Sequence, residues 1–246
     1  SLSIDVPVYY EVDVLRDGRS FGFRTVRAVQ QNETIFTMSV ASNYIPDGGS
    51  AVVGQTDPNR PSMEHAREIP LDAPEPEHTQ SIPDFIESLG DTVPPYYQFI
   101  RTRPNPFDIR PDKHCDPVHP QPEPPVKHVW IRLKQPLPDF DTTEERELHM
   151  QRLLLYCSDY QLVSTALLPV GQDGLSPSVQ VASIDHSMHF HRNLCDWDLS
   201  TEWMLHTMKS PSCSNDRGYS LGTLFRHTGK LVASTTQDGL MRWRTK

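Results

Sequence analysis

The chain has 246 residues, 36% of them hydrophobic, with 23 prolines and a formal net charge of −9. That length allows one large domain or two small ones with a real buried core. The acidic balance excludes a general basic field that would attract nucleic acid or an anionic membrane surface.

Cys115, Cys157, Cys195 and Cys213 form no CxxC pair and suit neither a disulfide framework nor a zinc finger, so reduced intracellular thiols are expected. No apolar run approaches the roughly 18 residues of a membrane span, and no signal peptide is read at the start. The terminal Arg244-Thr245-Lys246 is not a peroxisomal targeting tripeptide.

Three blocks follow in chain order. Residues 1–43 predict a three-stranded antiparallel meander. Val6 to Leu15 is rich in β-branched and aromatic residues, Asp17-Gly18 is a hairpin turn, Ser20 to Val29 alternates, Asn32-Glu33 turns again, and Thr34 to Ala41 is a third strand. The block holds no candidate helix to cover its apolar face. Residues 44–126 hold 17 of the 23 prolines and read as a connector. Within them a short helix is predicted at Ile82 to Leu89, introduced by Ser81 and Pro83 and stopped by Gly90. Pro94 to Ile100 is expected to pack as an aromatic arm.

Residues 127–246 predict an α+β unit, a helix on a curved sheet. Val129 to Leu133 is a strand. Thr142-Thr-Glu-Glu145 has capping-box spacing and opens a helix expected to run from about Thr143 to Leu168. Strands are then expected at Val179 to Arg192, Trp203 to Lys209, Tyr219 to Phe225 and, after the Thr228-Gly229 turn, Leu231 to Met241.

Asp159 is an anomaly on that helix. At helical spacing it shares a face with Leu155, Tyr156, Leu162, Val163 and Ala166, with Arg152 one turn away. A carboxylate on a core stripe costs several kcal/mol unless paired. It is therefore either a chemical group or a structural Asp bonded to a backbone amide or to Arg152. The strand Val179 to Arg192 is a second anomaly. Strict alternation puts Val179, Val181, Ser183, Asp185, Ser187, His189 and His191 on one face, which turns from apolar to polar midway. His189 and His191 raise the question of a metal. Three convergent ligands are needed, and Asp185 lies too far along the same strand to share their ion. No metal and no cofactor is expected. No Gly-x-Ser-x-Gly elbow, Walker A loop or dinucleotide-binding glycine pattern is read, and Cys157 reads as a buried thiol. Without a side-chain nucleophile, direct attack by an activated water is the natural hydrolytic route.

Four stretches of the third block resemble the acyl-CoA thioesterase II family, which includes the peroxisomal acyl-CoA thioesterases of eukaryotes. They are Tyr156-Cys-Ser-Asp159, Ala182-Ser-Ile-Asp-His-Ser-Met-His-Phe-His-Arg192, Arg217-Gly218 and Leu231-Val-Ala-Ser-Thr-Thr-Gln-Asp-Gly-Leu-Met-Arg242. Leu15-Arg-Asp-Gly-Arg-Ser20 and Ile35-Phe36 are similar to it in the first block. The resemblance implies a double hotdog fold, each half wrapping an antiparallel sheet around a central helix. It implies hydrolysis of fatty acyl-CoA to free acid and CoA, a peroxisomal location and a homo-oligomer. It also implies that Asp159 acts as base on a water, that Ser183 and Gln237 orient that water, and that Gln237 steadies the oxyanion as well. His189 stands where the family commonly has Trp. The family precedes the meander with a strand and a Gly-rich helix. Since this chain opens on the meander, its first hotdog is expected to be incomplete, and a non-catalytic acyl-CoA binding or assembly module is the alternative reading.

Overall fold

The computed structural model describes residues 4–19, 21–43, 65–90, 95–116, 119–174 and 176–244. The chain divides into two compact units, Ser1–Met63 and Glu64–Lys246. The first contains the expected meander: β1 (Tyr9–Asp17), β2 (Phe21–Gln30) and β3 (Glu33–Asn43), paired antiparallel in that order. Its second turn has positive φ at both Gln31 and Asn32, the backbone a two-residue hairpin requires. Among the described residues of this unit there is no helix, and Tyr10, Val12, Phe21, Phe23, Phe36 and Met38 are exposed.

The second unit begins with α1 (Ile82–Ser88), α2 (Pro95–Thr102), β4 (Phe107–Pro111) and β5 (Val126–Leu133). After these come α3 (Thr143–Ser158), a 3-10 helix at Val163–Val170, β6 (Val179–Phe190), β7 (Met204–Ser214), β8 (Arg217–Arg226) and β9 (Leu231–Trp243). The six strands make one antiparallel sheet in the order β4-β5-β7-β8-β9-β6, with α3 against its inner face. This helix-and-curled-sheet arrangement is the hotdog architecture expected for the third block.

The connector expected over 44–126 is corrected from residue 65 onward; the rest of it lies outside the described residues. This stretch is packed structure of the second unit. Three of its prolines sit where proline is tolerated: Pro83 and Pro95 in first helical turns, Pro111 at the end of the edge strand β4. Residues 69–74 cross the outer face of the sheet. Ile69 and Ala73 cover Trp130, Trp203 and Phe225, and Trp130 Nε1 donates to Pro74 O at 2.7 Å. The aromatic arm expected at Pro94 to Ile100 is, from Pro95 onward, the helix α2, with Tyr97 buried; Pro94 lies outside the described residues.

Thr142 Oγ1 caps α3 by accepting from Glu145 N at 3.1 Å, as the capping box predicts. The helix ends at Ser158, ten residues short of the expected Leu168. Gln161 takes a left-handed conformation (φ 61°), and its carbonyl accepts from the hydroxyls of Ser164 and Thr165. The chain thereby restarts in a new direction. The stripe drawn through Leu155, Tyr156 and Leu162 crosses this break. Leu155 and Tyr156 are exposed, and Met150, Leu154 and Cys157 form the buried face of α3. Taken as one span, Thr143–Val170 is long and apolar enough by length and composition to cross a membrane, contrary to the expectation that no run approaches that length. More than half of its most apolar window is packed inside this unit.

The 3-10 helix comes unusually close to the sheet because two glycines face each other across β8 and β9. Gly218 and Gly239 are register partners. A Cβ on Gly239 would stand 2.3 Å from Val163 Cγ2, and one on Gly218 would stand 2.8 Å from Ala166 Cβ. Gly239→Ala is expected to destabilise the protein by about 1–3 kcal/mol through overpacking. Thermal unfolding checks it, and an unchanged midpoint would refute the tight fit.

A buried histidine sits deeper in the same core. His206 is fully buried, and neither ring nitrogen has a hydrogen-bond partner. Burial pushes its pKa down to about 3, with His186 adding to the effect. The folded state therefore holds His206 neutral, whereas an unfolded chain binds its proton near the ordinary 6.5. Stability is unaffected above that value. It falls as pH drops from 6.5 toward 3, by at most ~1.4 kcal/mol per pH unit. His114, lowered by burial to about 4, acts with the same sign. His206→Leu is expected to flatten the acid side of the stability profile, with about 2 kcal/mol less acid loss than wild type at pH 5. Denaturant unfolding at several pH values measures this, and identical acid slopes would contradict it.

Candidate functional site

The arrangement of side chains on β6 depends on one extra residue. Between Ser183 and Asp185 the pairing with β9 shifts, so that Ser183 faces Gly239, Asp185 faces Asp238, and Ile184 is left over. This is a β-bulge, and it exchanges the two faces of the strand beyond it. Ser183 therefore shares its inner face with His186, Met188 and Phe190. Asp185, Ser187 and His189 pass to the outer face. The strict alternation expected from the sequence is corrected at this point.

His189 and His191 are exposed, and His191 Nε2 is 2.9 Å from Ser234 Oγ. Asp185 Oδ1 accepts from Asp238 N at 3.0 Å. Among the described residues no three of His, Cys, Asp and Glu converge as cation ligands.

Asp159, Ser183 and Gln237 come from three elements and meet. Asp159 caps the C-terminal end of α3, Ser183 precedes the bulge on β6, and Gln237 lies in the middle of β9. Gln237 is fully buried. Its Nε2 donates to Asp159 Oδ1 at 2.5 Å and to Ser183 Oγ at 2.9 Å. Both amide hydrogens are thus used, one of them in a bond to a carboxylate. Asp159 and Ser183 are themselves exposed, which corrects the expectation of a carboxylate on a buried stripe. Arg152, considered as a partner for Asp159, is exposed and forms none of the described bonds to it.

Behind this trio runs a cross-strand row on the inner face. His186 of β6 pairs with Gln237 of β9, which pairs with Ser220 of β8. His186 Nε2 lies 2.9 Å from Ser158 Oγ and 3.1 Å from Thr235 Oγ1. Three atoms of the row are buried without a hydrogen-bond partner: His186 Nδ1, Gln237 Oε1 and Ser220 Oγ. Burial lowers the His186 pKa, against the pull of the Asp159 and Asp185 charges. Alternation had assigned His186 to the face opposite Ser183. The signal that could have placed it was the change of polarity midway along β6.

The Gly-x-Ser-x-Gly pattern, expected to be absent, is present in the chain. Gly218-Tyr219-Ser220-Leu221-Gly222 does spell Gly-x-Ser-x-Gly. It is not an elbow, because all five residues lie within the strand β8 and Ser220 is fully buried. Its glycines make room for neighbours: a Cβ on Gly222 would stand 2.4 Å from His206 Nε2. Cys157 and Cys115 are equally poor nucleophiles. Burial pushes Cys157 far up and Cys115 up to about 11, and all four cysteines are unpaired.

Comparison with known proteins gives a consistent family. A family described as acyl-CoA thioesterase C-terminal domain matches residues 67–241. Acyl-CoA thioesterase 2 of Haemophilus influenzae is 30% identical over 241 residues, covering 96% of this chain and 74% of that protein. Human acyl-coenzyme A thioesterase 8 is 28% identical over 243 residues, covering 96% of this chain and 68% of that protein. Among solved structures, the acyl-CoA thioesterase II TesB2 from Mycobacterium marinum superposes with a TM-score of 0.67 at 29% identity, covering 97% of this chain and 75% of that one.

Proposed function

The chain belongs to the acyl-CoA thioesterase II family, and we propose that Asp159, Ser183 and Gln237 carry its reaction by holding and polarising a single water. The chain is a thioester hydrolase that releases a free acid and CoA from acyl-CoA.

The observation that carries the site assignment is the forked amide. The buried Gln237 holds an exposed carboxylate and an exposed hydroxyl side by side. Ser183 Oγ accepts from Gln237, so its own hydrogen is left to donate to a water oxygen. Asp159 keeps a second oxygen, Oδ2, to accept from that water. The water attacks the thioester carbonyl as Asp159 takes its proton, forming a tetrahedral intermediate. The carbon–sulfur bond then breaks, and the proton on Asp159 passes to the leaving thiolate. Gln237 acts here as a clamp. Both of its N–H groups are committed, so steadying the oxyanion falls to other donors, contrary to the role expected from the resemblance.

The same reading extends to a fatty acyl chain and a peroxisomal location, both supported by resemblance to the peroxisomal members of the family. It extends to a homo-oligomer, supported by the edge position of β6, which has one strand partner among the described residues, and by the exposed apolar side chains of β1 to β3.

Thiol release from medium- and long-chain acyl-CoA tests the assignment. Asp159→Asn is expected to lower kcat by roughly 10²–10⁴-fold, the contribution of a positioned base. Ser183→Ala removes one neutral hydrogen bond and is expected to cost roughly 5–30-fold. Wild-type turnover by Asp159→Asn would eliminate the proposed base.

A further inference from the structure

We propose that His186 is a positioning residue whose neutral Nε2–H fastens the end of α3 to β9, setting the distance between Asp159 and the Gln237–Ser183 pair. This inference rests on the water-holding reading above and adds a fourth residue to it.

The hydroxyl donors around His186 assign its proton. Ser158 Oγ donates its only hydrogen to Leu155 O at 2.8 Å. Thr235 Oγ1 donates its only hydrogen to Ser187 O at 2.7 Å. Both hydroxyl oxygens also lie within hydrogen-bond distance of His186 Nε2. Each can only accept there, so Nε2 is the donor and is shared between them. In a neutral imidazole the other nitrogen, Nδ1, is then a bare lone pair. This fits the finding that Nδ1 is buried without a hydrogen-bond partner among the described residues.

Location gives the bond its consequence. Ser158 immediately precedes Asp159, at the point where α3 stops and the chain turns. Thr235 is two residues before Gln237 on the same face of β9. His186 itself stands on β6, just past the bulge that follows Ser183. One ring thus touches all three elements that supply the site. The neutral state it needs is favoured by burial, and the charges of Asp159 and Asp185 oppose burial without reversing it. His206, the other imidazole near it, is also held neutral. A side chain that orients the groups around a base in this way resembles the second layer that fixes reactive geometry in other enzymes, where a displacement of about 1 Å can cost ~10²-fold.

The test compares His186→Gln, His186→Asn and His186→Phe with Asp159→Asn in acyl-CoA hydrolysis, alongside thermal unfolding. Gln carries its amide N–H near the place of Nε2, and Asn carries it near the place of Nδ1. The expected result is that His186→Gln stays within about fivefold of wild-type kcat, whereas His186→Asn and His186→Phe lose about 10–100-fold in kcat with KM within about twofold. A role in stability alone would lower all three unfolding midpoints and leave kcat of the folded fraction unchanged, and that outcome overturns the proposal. Wild-type kcat in His186→Phe beside an inactive Asp159→Asn overturns it too, while leaving the water-holding reading intact. An active Asp159→Asn would instead overturn that reading and the proposal with it. Nitrogen-15 NMR of the wild-type imidazole decides the case if the variants do not fold: an Nε2–H tautomer is expected, and an Nδ1–H tautomer or a charged ring at pH 7 refutes the assignment.

Discussion

One primary amide has two hydrogens, and in this protein both are committed. Gln237 lies fully buried in the middle of β9 and reaches Asp159 with one N–H and Ser183 with the other. A buried amide that lost either partner would face a penalty of about 1–3 kcal/mol. The three side chains therefore behave as one unit, and much of the surrounding architecture brings their elements together. The strand β9 sits between β8 and β6, so that Gln237 has Ser220 on one side and His186 on the other. The paired glycines Gly218 and Gly239 let the 3-10 helix press against the sheet beside it. The turn at residues 159–161 leaves Asp159 at the open end of α3 rather than in its flank.

That Asp159, Ser183 and Gln237 come together in a candidate site was legible, although for partly mistaken reasons. Asp159 stood out as a carboxylate on an apolar stripe, and the structure shows that stripe to be an artefact of continuing the helix through Gln161. A residue other than glycine with φ of 61° gives little local warning, because Gln is not enriched in left-handed turns. The 182–192 segment announced its irregularity through a face that changed polarity. Alternation cannot count an extra residue, so it moved His186 outward and the His189 pair inward. The bulge at Ile184 reverses both placements. Read as evidence for a bulge, the polarity change would have put His186 beside Ser183.

The fold was most legible where local chemistry decides it. The meander, the Thr142 cap and the Thr228-Gly229 turn each rest on a few neighbouring residues. It was least legible in the Pro-rich stretch, where composition argued for a connector. Residues 69–74 become ordered because Trp130, Trp203 and Phe225 expose an apolar outer face that needs cover. That requirement comes from strands far along the chain, and a local reading cannot see it. The edge strand β4 escaped notice for a similar reason: a five-residue strand ending in proline looks like a loop until its partner β5 is placed.

Whether Gln237 makes the proposed base and the hydroxyl one device is read from a double-mutant cycle on kcat. The single variants are Asp159→Asn and Gln237→Leu, and the third is their combination. Residues that act as a unit are strongly non-additive. The double variant is expected to be no slower than about threefold below the slower single variant. A double variant whose loss equals the product of the two single losses would show that the amide and the carboxylate act independently, and would refute their action as one device.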